Sequence, residues 1–159
     1  MKIRDEKSVS IAYATNEESD FIFNGIQEIC KIEKETSDGK VWLNKSIKSS
    51  IKRKNIVCLK LNGKIAGFLE FIISKKEPYG INYEKEKKNF CWVNNMFVDK
   101  KYRGKGFGEE MFNELYKICK KKGINKIMLD VFKVNEPSRR FYEIEGFKNK
   151  INIMERWLK

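Results

Sequence analysis

A chain of 159 residues, 41% hydrophobic and 13% aromatic, has the size of one ordinary domain and the means to bury a sizeable core, so a single domain over 1–159 is expected. Lys and Arg outnumber Asp and Glu by 34 to 22, a net charge of +12 carried mostly by scattered lysines; it suits a phosphorylated cofactor, nucleic acid or an acidic membrane surface, and equally a solvated surface with a compositional bias. Histidine is absent, which excludes histidine-assisted nucleophiles and histidine-ligated metals and leaves Asp, Glu, Lys, Tyr or water as bases.

The chain opens on a charged segment, 1–7, unlike a signal peptide, and no apolar run approaches bilayer length, so a cytoplasmic protein without a membrane segment is expected. Val9, Ile11 and Tyr13 alternate with small or polar residues as in a half-buried strand. Thr15 and, three positions on, Glu18 form a capping-box pair announcing a helix with Ile22, Ile26, Ile29 and Cys30 on its apolar face. Leu43, Ile47 and Ile51 mark a second amphipathic stretch after the break at Ser37, Asp38 and Gly39. Segments 55–61 and 64–74, rich in Ile, Val, Leu and Phe, flank Asn62-Gly63, a strong two-residue hairpin signal.

The polar stretch 75–89, with Pro78, Tyr79, Gly80 and Tyr83, reads as a long loop, and 90–98 as another strand. Over 108–122, Met111, Phe112, Leu115, Ile118 and Cys119 recur at helical spacing, lysines gather at the negative end of the dipole, and Gly123 is the stop. A strand over 127–132, a short helix over 135–145 closed by Gly146, and a last strand over 148–158 complete the order, the last with Ile151, Ile153 and Trp157 on one face. The widely spaced Cys30, Cys58, Cys91 and Cys119 form no Cys-x-x-Cys pair and read as reduced thiols. The pattern is one α/β (α+β) domain whose mixed sheet is built on antiparallel hairpins.

The sharpest chemical signal lies where a strand meets a helix, at Arg103-Gly104-Lys105-Gly106-Phe107-Gly108-Glu109. Alternate glycines let backbone N–H groups turn inward and the helix start adds its positive dipole end, an arrangement suited to a pyrophosphate. The spacing matches neither the dinucleotide fingerprint nor the Walker loop. At the next helix stands Asn135-Glu136-Pro137-Ser138-Arg139-Arg140-Phe141-Tyr142, with Gly146-Phe147 closing it. Together the two stretches resemble the GNAT superfamily of acetyl-CoA-dependent N-acetyltransferases: Arg103, Gly106 and Gly108 meet its Arg/Gln-x-x-Gly-x-Gly/Ala loop, and Asn135, Ser138, Phe141, Tyr142, Gly146 and Phe147 meet its second motif.

The resemblance implies a mostly antiparallel twisted sheet with about four helices and one splayed strand pair, acetyl-CoA as cosubstrate, no metal, and an amine acceptor, with a homodimer left open. It implies that backbone groups of Met96, Phe97 and Val98 pair with the pantetheine arm as an added strand would, that Arg103, Gly104, Lys105, Gly106, Phe107, Gly108 and Glu109 surround the pyrophosphate, and that Asn135 and Tyr142 face the thioester. Read without it, Tyr142 is a core aromatic beside Phe141 and Asn135 a helix N-cap.

Transfer by direct attack in a ternary complex needs a base for the amine and an acid for the thiolate. Several family members place a glutamate on the strand before the loop, where this chain has Asn94 and its neighbours. Two acids in strands remain. Asp130 has the spacing to Tyr142 of the base and acid pair in the bacterial ribosomal-protein N-terminal acetyltransferases, and Glu70 interrupts an apolar run, where a carboxylate is costly unless employed or paired. Asp130 ranks first, then Glu70, then water, with Tyr142 as the acid. The competing functions are an inactive acyl-CoA-binding sensor or scaffold and a basic nucleic-acid-binding module; the latter lacks an interleaved aromatic and basic patch.

Overall fold

The computed structural model describes residues 8–36, 39–76 and 88–158. Strand β1 (Val9–Tyr13) leads into the capping box, in which the Glu18 carboxylate accepts from the Thr15 N–H at 2.7 Å and from its hydroxyl at 2.8 Å. The box opens a short 3-10 turn that runs into α1 (Ser19–Glu33) and, beyond it, α2 (Lys40–Lys52). Helix α1 ends because Lys34 takes a left-handed conformation, φ 59°, and the Glu35 N–H returns to the Cys30 carbonyl. Ile22, Ile26, Leu43 and Ile47 are buried, as helical spacing requires.

Strands β2 (Ile56–Leu61) and β3 (Lys64–Ser74) form the hairpin, and Asn62 and Gly63 both have positive φ, 51° and 76°, the conformation a tight two-residue turn demands. Then come β4 (Phe90–Val98), α3 (Phe107–Lys121), β5 (Ile127–Leu129) and α4 (Glu136–Ile144). The sheet order is β1-β2-β3-β4-β5, antiparallel through β4 and parallel between β4 and β5, with α3 as the crossover that parallel pairing needs. Among the described residues this is the mixed, mostly antiparallel sheet with four α-helices that the resemblance implies.

Side-chain alternation sends one set to each face. Val57, Leu59, Leu69, Phe71 and Val93 pack with Met111, Phe112 and Leu115 of α3, while Ile56, Cys58, Phe68 and Phe97 pack with α1 and α2. Three of the four cysteines are buried and all are unbridged.

Two expectations change. The strand expected over 127–132 stops at Leu129, so Asp130 stands just past its end, exposed, and not inside a strand. Residues 148–158 form no strand: Ile153, Met154, Trp157 and Leu158 are exposed, and alternation without an ordered partner ladder does not fix a strand. Most of the loop expected over 75–89 lies outside the described residues, as does segment 1–7.

The feature that positions the site is where β4 and β5 part. β5 pairs only with Cys91, Trp92 and Val93. Opposite β3, Phe71 faces Val93 and Glu70 faces Asn95, so Asn94 is the extra residue of a bulge. A bulge bends its strand and re-aims the next residues. Beyond it, Asn95 to Val98 keep β3 as a partner but have no β5 partner among the described residues.

Candidate active site

Between β4 and α3 the chain makes the glycine-rich turn. Gly104 and Gly106 have φ of 71° and 82°, and a Cβ on either would meet nothing within 4 Å. Their backbone conformation, not crowding, calls for glycine, and the space above them is open. Gly106 is the N-cap of α3 and no side chain caps that end, so the first N–H groups of the helix, at Phe107, Gly108 and Glu109, remain available to a ligand oxygen. Gly108 is different: a Cβ there would lie 2.8 Å from Cε of Met96 and 3.0 Å from Cζ of Phe141, so its smallness lets α3 sit against β4 and α4.

Arg103 is already engaged. Its Nε donates to the Val98 carbonyl at 2.8 Å, its Nη2 meets Oε1 of Glu28 on α1 at 3.0 Å, and its guanidinium stands over the Phe97 ring at 5.6 Å. Lys100 reaches the same Glu28 oxygen at 3.5 Å. The Arg103 side chain therefore braces the turn against α1, which leaves the backbone N–H groups as the donors facing outward. Lys105 is tied back by Nζ to the Lys101 carbonyl at 3.1 Å. These residues fit a pyrophosphate: open space over two left-handed glycines, an uncapped helix start and nearby cations, beside the stretch of β4 that β5 leaves.

At the other side of the splay, α4 is held by aromatic packing. Phe112, fully buried, touches Phe141, Tyr142 and Phe147 with ring centroids 5.8, 6.1 and 5.6 Å away. Tyr116 adds a hydrogen bond to Glu145 at 3.1 Å. Tyr142 is thus both a packed ring and a phenol whose pKa is raised, first by burial and then by the charges of Glu33 and Asp130.

Asn135 is the N-cap residue of α4 by position, yet its side chain makes no capping bond. Its Nδ2 instead donates to Oε1 of Glu33, at the last turn of α1, over 3.2 Å. Burial raises the Glu33 pKa most; the Asn135 hydrogen bond opposes that, and repulsion from Asp130 and Glu35 adds to it. Asn135 thus touches Glu33, and the charges of Glu33 and Asp130 reach the Tyr142 phenol.

Glu70 lies on the α1–α2 face of the sheet. It is buried, and both carboxylate oxygens are held, Oε1 by the Ser50 hydroxyl at 2.6 Å and Oε2 by Nδ2 of Asn95 at 2.7 Å. The costly carboxylate in an apolar run is paid for by two short charge-assisted hydrogen bonds.

The family model for the acetyltransferase (GNAT) family matches residues 22–147. The chain belongs to this family. Among curated relatives, a probable spermine N(1)-acetyltransferase of Bacillus subtilis subsp. natto is 36% identical over 80 residues, 44% of this chain and 49% of that protein. An uncharacterized N-acetyltransferase of Methanocaldococcus jannaschii is 31% identical over 74 residues, 46% of this chain and 32% of that protein. The matches thus span half or less of these relatives' lengths. Among solved structures, a possible acetyltransferase from Clostridium difficile 630 superposes with a TM-score of 0.72 at 21% identity, covering 95% of this chain and 98% of that one. An aminoglycoside N-acetyltransferase AAC(6')-Iy in complex with CoA gives 0.78 at 11% identity, covering 99% of each chain. At these identities the structures speak for the GNAT fold.

Within this GNAT domain, sequence reasoning missed Glu33 and Glu28. Their neighbourhood, Cys30-Lys31-Ile32-Glu33-Lys34-Glu35, reads as a solvated helix end. One signal was available: a carboxylate at a helix C-terminus faces the negative end of the dipole, an unfavourable place that asks for a reason.

Proposed function

We propose that the protein is an N-acetyltransferase, one domain acting in a reducing compartment, that transfers an acetyl group from acetyl-CoA to a primary amine by direct attack in a ternary complex. The observation that carries this reading is a conjunction. The uncapped α3 start with its left-handed glycines follows the part of β4 that leaves β5, and at Gly108 that helix start lies against Met96 of β4 and Phe141 of α4, the helix that begins at Asn135 and carries Tyr142. Acetyl-CoA, when bound, supplies the acetyl group as an activated thioester.

The residues then divide the work. Backbone N–H groups at 104–109 bind phosphate oxygens, and Met96 and Phe97 offer strand-edge groups to an amide-bearing arm. Val98 offers less than the sequence implied, because its carbonyl already serves Arg103. Asp130, at the open end of β5, takes the proton from the incoming ammonium directly or through water, and Tyr142 gives the proton of its hydroxyl to the departing sulfur. A raised phenol pKa keeps that hydroxyl protonated at neutral pH. Glu70, with both oxygens satisfied, is the weaker candidate for base.

The acceptor class follows from local charge, since the chain as a whole is basic. Glu33 and Asp130 create an acidic spot on a +12 protein, and the relatives named for spermine and the structures named for aminoglycosides make cationic amines the first to test. Acetyl-CoA is expected to raise the melting temperature, and a panel of polyamines, aminoglycosides and peptide amines is expected to release free CoA thiol with at least one member. No thermal shift at millimolar acetyl-CoA, or no thiol release with any amine, overturns the reading.

A further inference from the structure

Helix α1 touches both chemical motifs of the chain. Glu28 reaches Arg103 of the glycine-rich turn, 75 residues away, and Glu33 reaches Asn135 of the second motif, 102 residues away. The second contact is the more informative. A primary amide has two unlike edges, and which one faces inward is decided by its neighbours. An ionised carboxylate only accepts, so the partner of Glu33 must be Nδ2, and Oδ1 is left on the opposite edge. Asn135 is only 8% exposed, so its amide edges are turned to protein groups or a bound ligand rather than to bulk water, and their orientation matters.

We propose that Glu33 is a positioning residue for the acetyl transfer: its carboxylate holds the Asn135 amide in one orientation, with Oδ1 fixed as an acceptor for an N–H of the bound ligands. This rests on the acetyltransferase reading. The placement is unfavourable in other respects, which argues against mere structural use. Glu33 stands at the C-terminal end of α1, against the helix dipole, and faces Asp130 from the end of β5 and Glu35 from its own segment, while α4 presents the polar Asn135 and the phenol of Tyr142. No lysine or arginine is among the groups that shift its titration. A protonated Glu33 can donate as well as accept, so the amide is no longer constrained. The orientation is therefore held above the raised Glu33 pKa and released below it.

Glu33→Gln tests this, with Glu114→Gln on the outer face of α3 as the control. The variant is expected to fold, to keep the acetyl-CoA thermal shift, and to lose about tenfold in turnover, since a small misplacement of a reacting group carries a penalty of that order or more. The acid limb of the wild-type pH profile should shrink with it, leaving the part that the base itself contributes. In the unliganded protein, the Asn135 side-chain amide resonances should move with pH in the wild type and stay flat in Glu33→Gln, with Asn135→Ala identifying the signals. Wild-type turnover with an unchanged acid limb in Glu33→Gln, or Asn135 resonances that ignore both pH and the substitution, overturns the inference. If the wild type acetylates no amine, the functional reading fails, and the amide titration still decides whether Glu33 holds Asn135.

Discussion

The two ends of α1 carry glutamates in opposite circumstances. At its start, Glu18 is buried, closes the capping box with Thr15 and meets Nζ of Lys60 at 2.6 Å. Burial alone pushes its carboxyl up, but the hydrogen bonds from Lys60 and Thr15 outweigh that and hold it below the ordinary value. At the other end, Glu33 has one amide for a partner, two carboxylates for neighbours, the wrong end of the dipole, and a raised pKa. The satisfied glutamate builds the fold, and the frustrated one stands beside the candidate chemistry. Sites that work are where such costs are tolerated.

The sharpest way to break this comparison is Tyr142→Phe. If the Glu33 end is the reacting end, removing one hydroxyl while keeping the ring and its packing on Phe112 should lower turnover by roughly ten- to a thousandfold. Acetyl-CoA affinity should change little, as measured by thermal shift and steady-state kinetics. A variant with full activity across pH 6 to 9 would leave Tyr142 a core aromatic only.

A smaller effect separates the two carboxylates that the sequence nominated. Asp130→Asn should lower turnover by about tenfold, most visibly at low pH, through loss of the base at the end of β5. Glu70→Gln should do the reverse, lowering stability by about 1 kcal/mol through loss of charge assistance to Ser50 and Asn95, with turnover nearly intact. Urea denaturation and initial rates on the same samples decide it; a larger loss of turnover in Glu70→Gln exchanges their roles.

Much of this was legible because it is local. The capping box of Thr15 and Glu18, the Asn62-Gly63 turn and the stripe from Met111 to Cys119 each specify their structure within a few residues, and the glycines at 104 and 106 announce a left-handed turn before a helix by the same logic. What stayed hidden is tertiary. Nothing near Glu33 says that its neighbour is Asn135, and nothing near Gly108 says that Met96 and Phe141 close over it. Asn135 misled in a different way: its type and place both suit an N-cap, yet its side chain is drawn to α1 instead. The alternation of 148–158 misled because a strand needs a partner as well as a pattern, and β5 offers only three residues.

The smallest predicted effect is thermodynamic and separates the two ends of α1 without any substrate. For Glu18, whose folded pKa is lowered, the stabilisation is fully present above the unfolded carboxyl value and is lost as pH falls through the folded one. Glu18→Gln should therefore cost about 1 to 2 kcal/mol at pH 7, and the gap to wild type should close on acidification. For Glu33 the sign is opposite. Its folded pKa is raised, so between the ordinary carboxyl value and the raised one the folded state binds a proton that the unfolded chain does not, and stability falls as pH rises through that window. Above it, Glu33 is a charge that folding disfavours, and Gln removes the charge while keeping the shape. Glu33→Gln should accordingly leave the pH 7 melting temperature unchanged or raise it slightly, with the difference vanishing in acid. Melting curves of the three proteins between pH 4 and pH 8 provide the check. A Glu33→Gln protein as destabilised at pH 7 as Glu18→Gln would mean that both carboxylates hold the fold together, and the contrast between the two ends of the helix would be gone.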